Sequence, residues 1–262
     1  MRKTIYIALA ALWLLAGTAL AREMAVTVDG EALEGRAFVQ EGVTYAPLAP
    51  LLEALGGWTA TWNGEEGTAW AETALFRLAV PLGADHLLAD GFAFPLPAAV
   101  LAWEGEVYIP LRAAANLLGG GVEFSGWDRP VAVTAPRPGA YSQEDLYWLS
   151  RVISAESRGE PLAGQIAVGN VVRNRVASSK FPNTIHAVVF DRQWAVQFEP
   201  VSNGTIYNAP TAQSVLAARL ALNGTDMVGD CLYFFAPALS PGTWIRENAE
   251  YHTTIGCHQF YR

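Results

Sequence analysis

Apolar and polar positions follow two different rhythms along this chain, and the rhythm changes near residue 140. Before that point, short alternating runs such as Trp58–Trp62 and Val122–Phe124 stand between Gly, Pro and Asp, which predicts strands and turns. After it, apolar residues recur at helical spacing. Leu146, Leu149, Val152 and Ile153 form one stripe, and Ser142 with Asp145 three residues on makes a capping box ahead of it. A second helix is predicted over Ala163–Ala177, with Ile166, Val171 and Val172 on its buried face and Asn170 and Asn174 one turn apart. A third covers Ala212–Leu222, with Thr211 as N-cap and Gly224 as stop. The aromatic run Leu232–Phe235 reads as a strand. Two prolines and a glycine between Ala135 and Ala140 make a short, stiff linker.

The first part contains a repeat. Tyr45, Pro47 and Gly56 recur as Tyr108, Pro110 and Gly119, each at an offset of 63. Proline stands where a helix would start and glycine where it would stop. Asp29-Gly30 and Asp90-Gly91 are hairpin signals. Each unit therefore reads as hairpin, short helix and strand, and two such units must pack together to bury their apolar faces. This pattern, Tyr-x-Pro-Leu before a helix and then Gly-Gly, resembles the copper amine oxidase N-terminal module. The resemblance runs from about residue 25 to 134. Its name implies copper, but residues 22–140 hold one histidine, His86, and no cysteine, so no copper is expected. The module is expected to be a spacer, or an adaptor toward a wall-associated protein or polymer.

Arg2 and Lys3, the apolar run Ile5–Leu15 and the small-x-small site Ala19-Leu20-Ala21 predict a signal peptide over residues 1–21. The apolar run is short for a bilayer span, and no cysteine follows it to carry a lipid. The mature protein is expected to be secreted and extracytoplasmic. The domain plan is then a module over 22–134, a linker over 135–141 and a second domain over 142–262. Residues 22–140 carry 6 basic and 15 acidic side chains, and residues 141–262 carry 9 and 10. So acidic a first half argues against nucleic acid and anionic lipid as partners, whereas the near-neutral second half can approach a polyanionic wall. The two cysteines, Cys231 and Cys257, suggest a disulfide in an exported protein, or else two reduced, buried thiols. The histidines are scattered, and no metal or other cofactor is expected.

Glu156 continues the apolar stripe of the first helix. Desolvation there would raise its pKa and keep it protonated, as a general acid requires; pairing with Arg158 or Arg175 is the structural alternative. The surrounding blocks bear on this choice. They are Ser154–Pro161, Gly164–Val176, Phe181-Pro182, Val196–Phe198, Ser202–Tyr207, Trp244-Ile245 and Thr254–His258. In this order they resemble the SleB-type, spore cortex-lytic family of cell-wall hydrolases, over about residues 145–262. The resemblance implies that Glu156 is the catalytic glutamate and that the domain has a mainly helical, lysozyme-like fold. The whole chain is then α+β.

Glycoside hydrolysis usually takes two carboxyl groups. Muramic acid carries its own C6 hydroxyl, so a single glutamate is enough for a lytic transglycosylase that leaves a 1,6-anhydro end, as similar family members do. The expected substrate is the glycan strand of peptidoglycan. Glu160 is the nearest other acid, but Gly159 and Pro161 place it in a loop. Gln197 and Asn203 are candidates for binding N-acetyl groups or for ordinary turn chemistry. Tyr207, Trp194, Tyr233 and Trp244 are candidate sugar platforms or core residues. Asn174 is a candidate brace for the Glu156 loop. Ala236 stands where similar proteins have Asn before Pro, which removes hydrogen-bonding capacity at that point. A non-catalytic wall-binding protein is one alternative, and a hydrolytic muramidase or amidase is the other. A metal-dependent amidase lacks ligand spacing, and a serine hydrolase lacks its Gly-x-Ser-x-Gly turn.

Overall fold

The computed structural model describes residues 21–72, 76–136, 141–193 and 197–262. The predicted signal peptide therefore lies outside the described residues except for Ala21, as do most of the predicted linker, Trp194 and Val196. The chain divides between Arg137 and Pro138 into two compact units. The fold is α+β, with a strand-rich first unit and a mainly helical second one.

In the first unit the two Tyr-x-Pro segments are the strands Val43–Pro47 and Glu106–Pro110. They pair antiparallel with Tyr108 opposite Pro47 and Pro110 opposite Tyr45, so the repeat units meet through matching residues. Strands Ala37–Gln40 and Leu101–Trp103 flank this pair, and Arg22–Met24 completes a five-stranded sheet. Each Tyr-x-Pro strand runs directly into a helix, α1 (Leu48–Gly56) or α2 (Leu111–Leu117), with Pro47 or Pro110 as N-cap. Glycines with positive φ follow both helices, Gly57 at 72° and Gly119 at 85°. Phe38, Tyr45 and Tyr108 form the aromatic core of this duplication, with ring centroids 5.2–5.4 Å from Phe38.

The repeated hairpins are not the ones the Asp-Gly signals indicate. Both Asp-Gly turns form, but in different sheets. Asp29-Gly30 joins strands Val26–Val28 and Glu31–Ala32 in a four-stranded sheet. Asp90-Gly91 joins His86–Ala89 and Phe92–Pro95 in a five-stranded antiparallel meander with Ala60–Asn63, Thr68–Glu72 and Arg77–Pro81. The equivalent turns are Glu41-Gly42 and Glu104-Gly105, where both glutamates adopt positive φ, 51° and 49°. Positive φ at both central residues is the type I′ geometry, one of the two that match strand twist, and here strand pairing imposes it on a glutamate.

In the second unit, helix α3 (Gln143–Ser157) starts at the capping box: Asp145 N donates to Ser142 Oγ at 3.0 Å and Ser142 N to Asp145 Oδ2 at 2.9 Å. Helix α4 (Leu162–Ala177) is buried at every residue from Leu162 to Val172, so it is a central helix and not the one-faced helix that its pattern suggests. Short helices α5 (Ile185–Val189) and α6 (Glu199–Asn203) and a 3-10 turn at Thr205–Tyr207 lead to α7 (Ala212–Leu222), capped by Thr211. Helices α3, α4 and α7 pack mutually. A Cβ at Gly169 would lie 3.0 Å from Ile153 Cδ1 and 3.1 Å from Ala221 Cβ, so a glycine is what lets the three helices approach this closely. Helix α8 (Thr243–Asn248) and a three-stranded sheet of Tyr233–Phe235, His258–Tyr261 and Tyr251–Ile255 close the unit.

The expected disulfide is not formed. Cys231 is buried within the loop between α7 and the strand Tyr233–Phe235, whereas Cys257 is exposed on the tight turn of the last hairpin, and both thiols are free. Burial pushes the Cys231 thiol up to about 11. Among the described residues no helix is long and apolar enough to cross a membrane.

Candidate active site

Glu156 is the penultimate residue of α3, one turn after the fully buried Val152 and Ile153. It is half-buried, and that burial pushes its carboxyl up to about 7. The neighbouring Glu199 adds to the rise and Arg175 opposes it. Arg158, the other suggested partner, is exposed at the C-cap.

Arg175 organises the surroundings. It lies on α4 and is buried; its Nε donates to Leu232 O at 2.8 Å and its Nη1 to Gln197 Oε1 at 3.3 Å. The guanidinium stands 4.9 Å from the Phe181 ring, 5.3 Å from Phe198 and 5.8 Å from Tyr233. Burial lowers its pKa to about 10, against the charges of Tyr233, Asp191 and Glu156, so it stays cationic at neutral pH. One arginine thereby ties the candidates Gln197 and Tyr233 to the helix that faces Glu156.

The loop after Glu156 is held from below by Gln165. This fully buried side chain donates to Arg158 O at 3.4 Å and Glu160 O at 3.0 Å and accepts from Ser214 Oγ at 2.8 Å. The bracing expected of Asn174 is thus done by Gln165. Asn174 donates instead to Gly229 O at 2.6 Å and Cys231 O at 2.9 Å, which commits its amide nitrogen to the loop after α7. Asn170, one turn earlier, donates to Thr225 O at 2.7 Å and accepts from Met227 N at 2.9 Å. Replacing Asn170 with Ala removes both of these hydrogen bonds and is expected to lower stability by about 2–3 kcal/mol, read by urea unfolding.

Glu160 is a loop residue with a nearly buried carboxylate. Its Oε2 accepts from Cys257 N at 2.8 Å, and its Oε1 lies 3.7 Å from His258 Nδ1. Burial holds His258 below its ordinary pKa, against the pull of Glu160. The contact pins the last hairpin to the α3–α4 loop. Thr254 Oγ1 pairs with Tyr251 OH at 2.9 Å.

The remaining candidates separate into two groups. Tyr233 meets Trp244 edge-on at 5.5 Å, and Trp244 is 58% exposed. Tyr207, 62% exposed, belongs to a second cluster with Trp148 and Phe190. Asn203 makes a turn: its Oδ1 accepts from Thr205 N at 3.0 Å and Thr205 Oγ1 at 2.6 Å. Ala236 O accepts from Leu239 N and Ser240 N, so the turn forms without an Asn side chain. Three elements of the site escaped sequence reasoning: Glu199, the central role of Arg175, and Gln165. Glu199 directly follows a matched block, Val196–Phe198, but reads there as an ordinary acid in a helix's first turn.

Residues 159–261 match the family model of the Cell Wall Hydrolase domain, and residues 27–133 match that of the copper amine oxidase N-terminal domain. The second unit thus belongs to the cell wall hydrolase family and follows a module of the copper amine oxidase N-terminal type. Within that class the similar proteins are spore cortex-lytic enzymes. That of Bacillus cereus is 41% identical over 108 residues, 41% of this chain and 40% of its own. That of Bacillus subtilis is 37% identical over 131 residues, 49% of this chain and 41% of its own. The chain spans less than half the length of these curated relatives. A solved catalytic domain of the germination-specific lytic transglycosylase SleB from Bacillus anthracis is 38% identical, covering 48% of this chain and 100% of that one, with a TM-score of 0.44.

The first module's name raises the question of copper. Its one histidine, His86, starts a strand with Nδ1 3.2 Å from the exposed Asp85. Among the described residues no group of three His, Cys, Asp or Glu is placed to hold a metal. One imidazole beside one carboxylate does not fit a copper site.

Proposed function

We propose that this protein cleaves the glycan strand of peptidoglycan as a lytic transglycosylase, with Glu156 as acid and then base. The observation that carries this reading is the half-buried carboxyl of Glu156, pushed up to about 7 at the end of a helix with Arg175 and Glu199 around it. A carboxyl that still holds its proton near neutrality can protonate the glycosidic oxygen between MurNAc and GlcNAc. The anionic Glu156 then takes the proton from the C6 hydroxyl as that oxygen closes on the anomeric carbon. Tyr233 and Trp244 form the sugar platform on the Arg175 side, with Gln197 beside it as the candidate contact to an N-acetyl group and Tyr207 at the second cluster. The similar proteins are named for lysis of the spore cortex, which supports a peptidoglycan substrate and an extracytoplasmic place of action. The first module serves as a spacer or adaptor toward a wall polymer or wall-associated protein, joined to the catalytic unit by the segment around 135–141.

The test is a digest of purified cortex and vegetative peptidoglycan by the full chain, with products weighed. New ends lacking one water, as 1,6-anhydro-MurNAc does, are the expected main product. A digest that releases no anhydro ends from either wall removes the transglycosylase reading.

A further inference from the structure

Counting carboxyl groups by nearness in sequence leaves Glu156 alone, but the fold changes the count. Glu199 opens α6 and is exposed. Its position is built. Two residues earlier, Gln197 accepts from Arg175 Nη1 at 3.3 Å, and between them Phe198 is buried with its ring 5.3 Å from the same guanidinium. Helix α6 also packs against α3, which carries Glu156. The Arg175 clamp therefore fixes the start of α6, and α6 packs on the helix that carries Glu156, where the charge of Glu199 acts on the Glu156 carboxyl. The cluster contains a sheltered carboxyl, a solvent-facing carboxylate and a buried cation behind them. Unequal environments for two nearby carboxyl groups are what separate acid from base in glycoside hydrolysis.

We propose that the same site also hydrolyses the glycan strand, with Glu199 as the base that activates water for attack on the anomeric carbon. This rests on the reading of Glu156 as the acid. In the step, Glu156 gives its proton to the glycosidic oxygen and the bond from that oxygen to C1 breaks. A water oxygen bonds to C1 and its proton passes to Glu199. The products are a reducing MurNAc end and a free GlcNAc hydroxyl. Proton exchange with solvent restores both carboxyl groups, and water is the sole co-reactant. Cleavage thus has two acceptors in competition: the substrate's own C6 hydroxyl, which gives the anhydro end, and water.

The experiment is a short digest of purified peptidoglycan by the full chain in 18O-water, with immediate borohydride reduction to trap new reducing ends before they exchange. Mass analysis gives the ratio of 18O-labelled reducing ends to anhydro ends. Wild type is expected to give a minor labelled fraction. Glu199→Gln keeps the size of the side chain and removes the base, and is expected to lower the ratio roughly a hundredfold, the low end of the range for loss of a general base. A wild-type digest without labelled ends, or an unchanged ratio in Glu199→Gln, overturns the proposal. Glu156→Gln run in parallel keeps the two readings apart. If it still forms both products, the assignment of Glu156 fails; if it forms neither while the Glu199→Gln ratio is unchanged, only the role of Glu199 fails.

Discussion

Replacing Glu156 with Gln is expected to lower the rate of glycan cleavage by roughly a thousandfold, within the range lost with a general acid–base group. Gln keeps the shape and burial of the side chain but carries no transferable proton. The wild-type rate should fall as pH rises through about 7, where Glu156 loses its proton. The residual activity of the variant should not follow that titration. Stability supplies an internal control. The folded-state pKa of Glu156 is raised above its ordinary 4.5, so burial penalises the ionised form. The penalty is absent below the unfolded-state pKa and complete above about 7. Glu156→Gln should therefore match wild type in unfolding at acid pH and be the more stable of the two above neutrality. Dead enzyme with that stability signature has lost chemistry and not its fold. Wild-type cleavage rates in the variant at neutral pH would remove Glu156 from the mechanism.

The second large effect is structural. Gly256→Ala is expected to destabilise the second unit by about 3 kcal/mol, the sum of left-handed backbone strain and a broken charged hydrogen bond. Gly256 has a φ of 58° on the turn between the last two strands. A Cβ there would overlap Glu160 Oε2 and lie 3.1 Å from both Glu160 Cδ and Pro161 Cδ. The methyl would displace the carboxylate that accepts from Cys257 N at 2.8 Å and so detach the hairpin from the loop that follows Glu156. Gly159→Ala, in the same loop, is the matched control: it meets nothing within 4 Å and has no positive φ. Urea unfolding of both variants decides the matter. Equal losses would mean that the Glu160–hairpin contact contributes little.

These expectations separate what each level of description contributes. Helices α3 and α7 and their caps were legible in the sequence because capping boxes, N-cap threonines and 3.6-residue stripes are local features. The duplication in the first unit was legible for a similar reason: Tyr-x-Pro and Gly-Gly recur at a constant offset, and β-pairing then joins the copies. The repeated hairpins were not, because positive φ at Glu41 and Glu104 comes from pairing and has no sign in the residue type. The central burial of α4 was hidden too, since packing by neighbours on every side removes the periodicity that marks a one-faced helix.

The site divides along the same line. Patterning alone marked Glu156 as an acid on an apolar stripe and left pairing with an arginine open; the resemblance to the cell-wall hydrolases is what favoured the catalytic role. The sequence also marked Gln197 and Tyr233 as candidates. It misassigned the brace to Asn174, whose amide nitrogen closes a loop more than fifty residues away, and it paired two cysteines that the fold places one inside and one outside. Only the tertiary structure brought Arg175, Gln197 and Glu199 around the end of α3. Electrostatic influence falls with distance in space, and residues 156, 175 and 199 become neighbours only once α3, α4 and α6 have packed. The sequence by itself determined that a protonatable acid stands at the end of a helix. The fold determined which charged groups, Glu199 and Arg175, act on this acid.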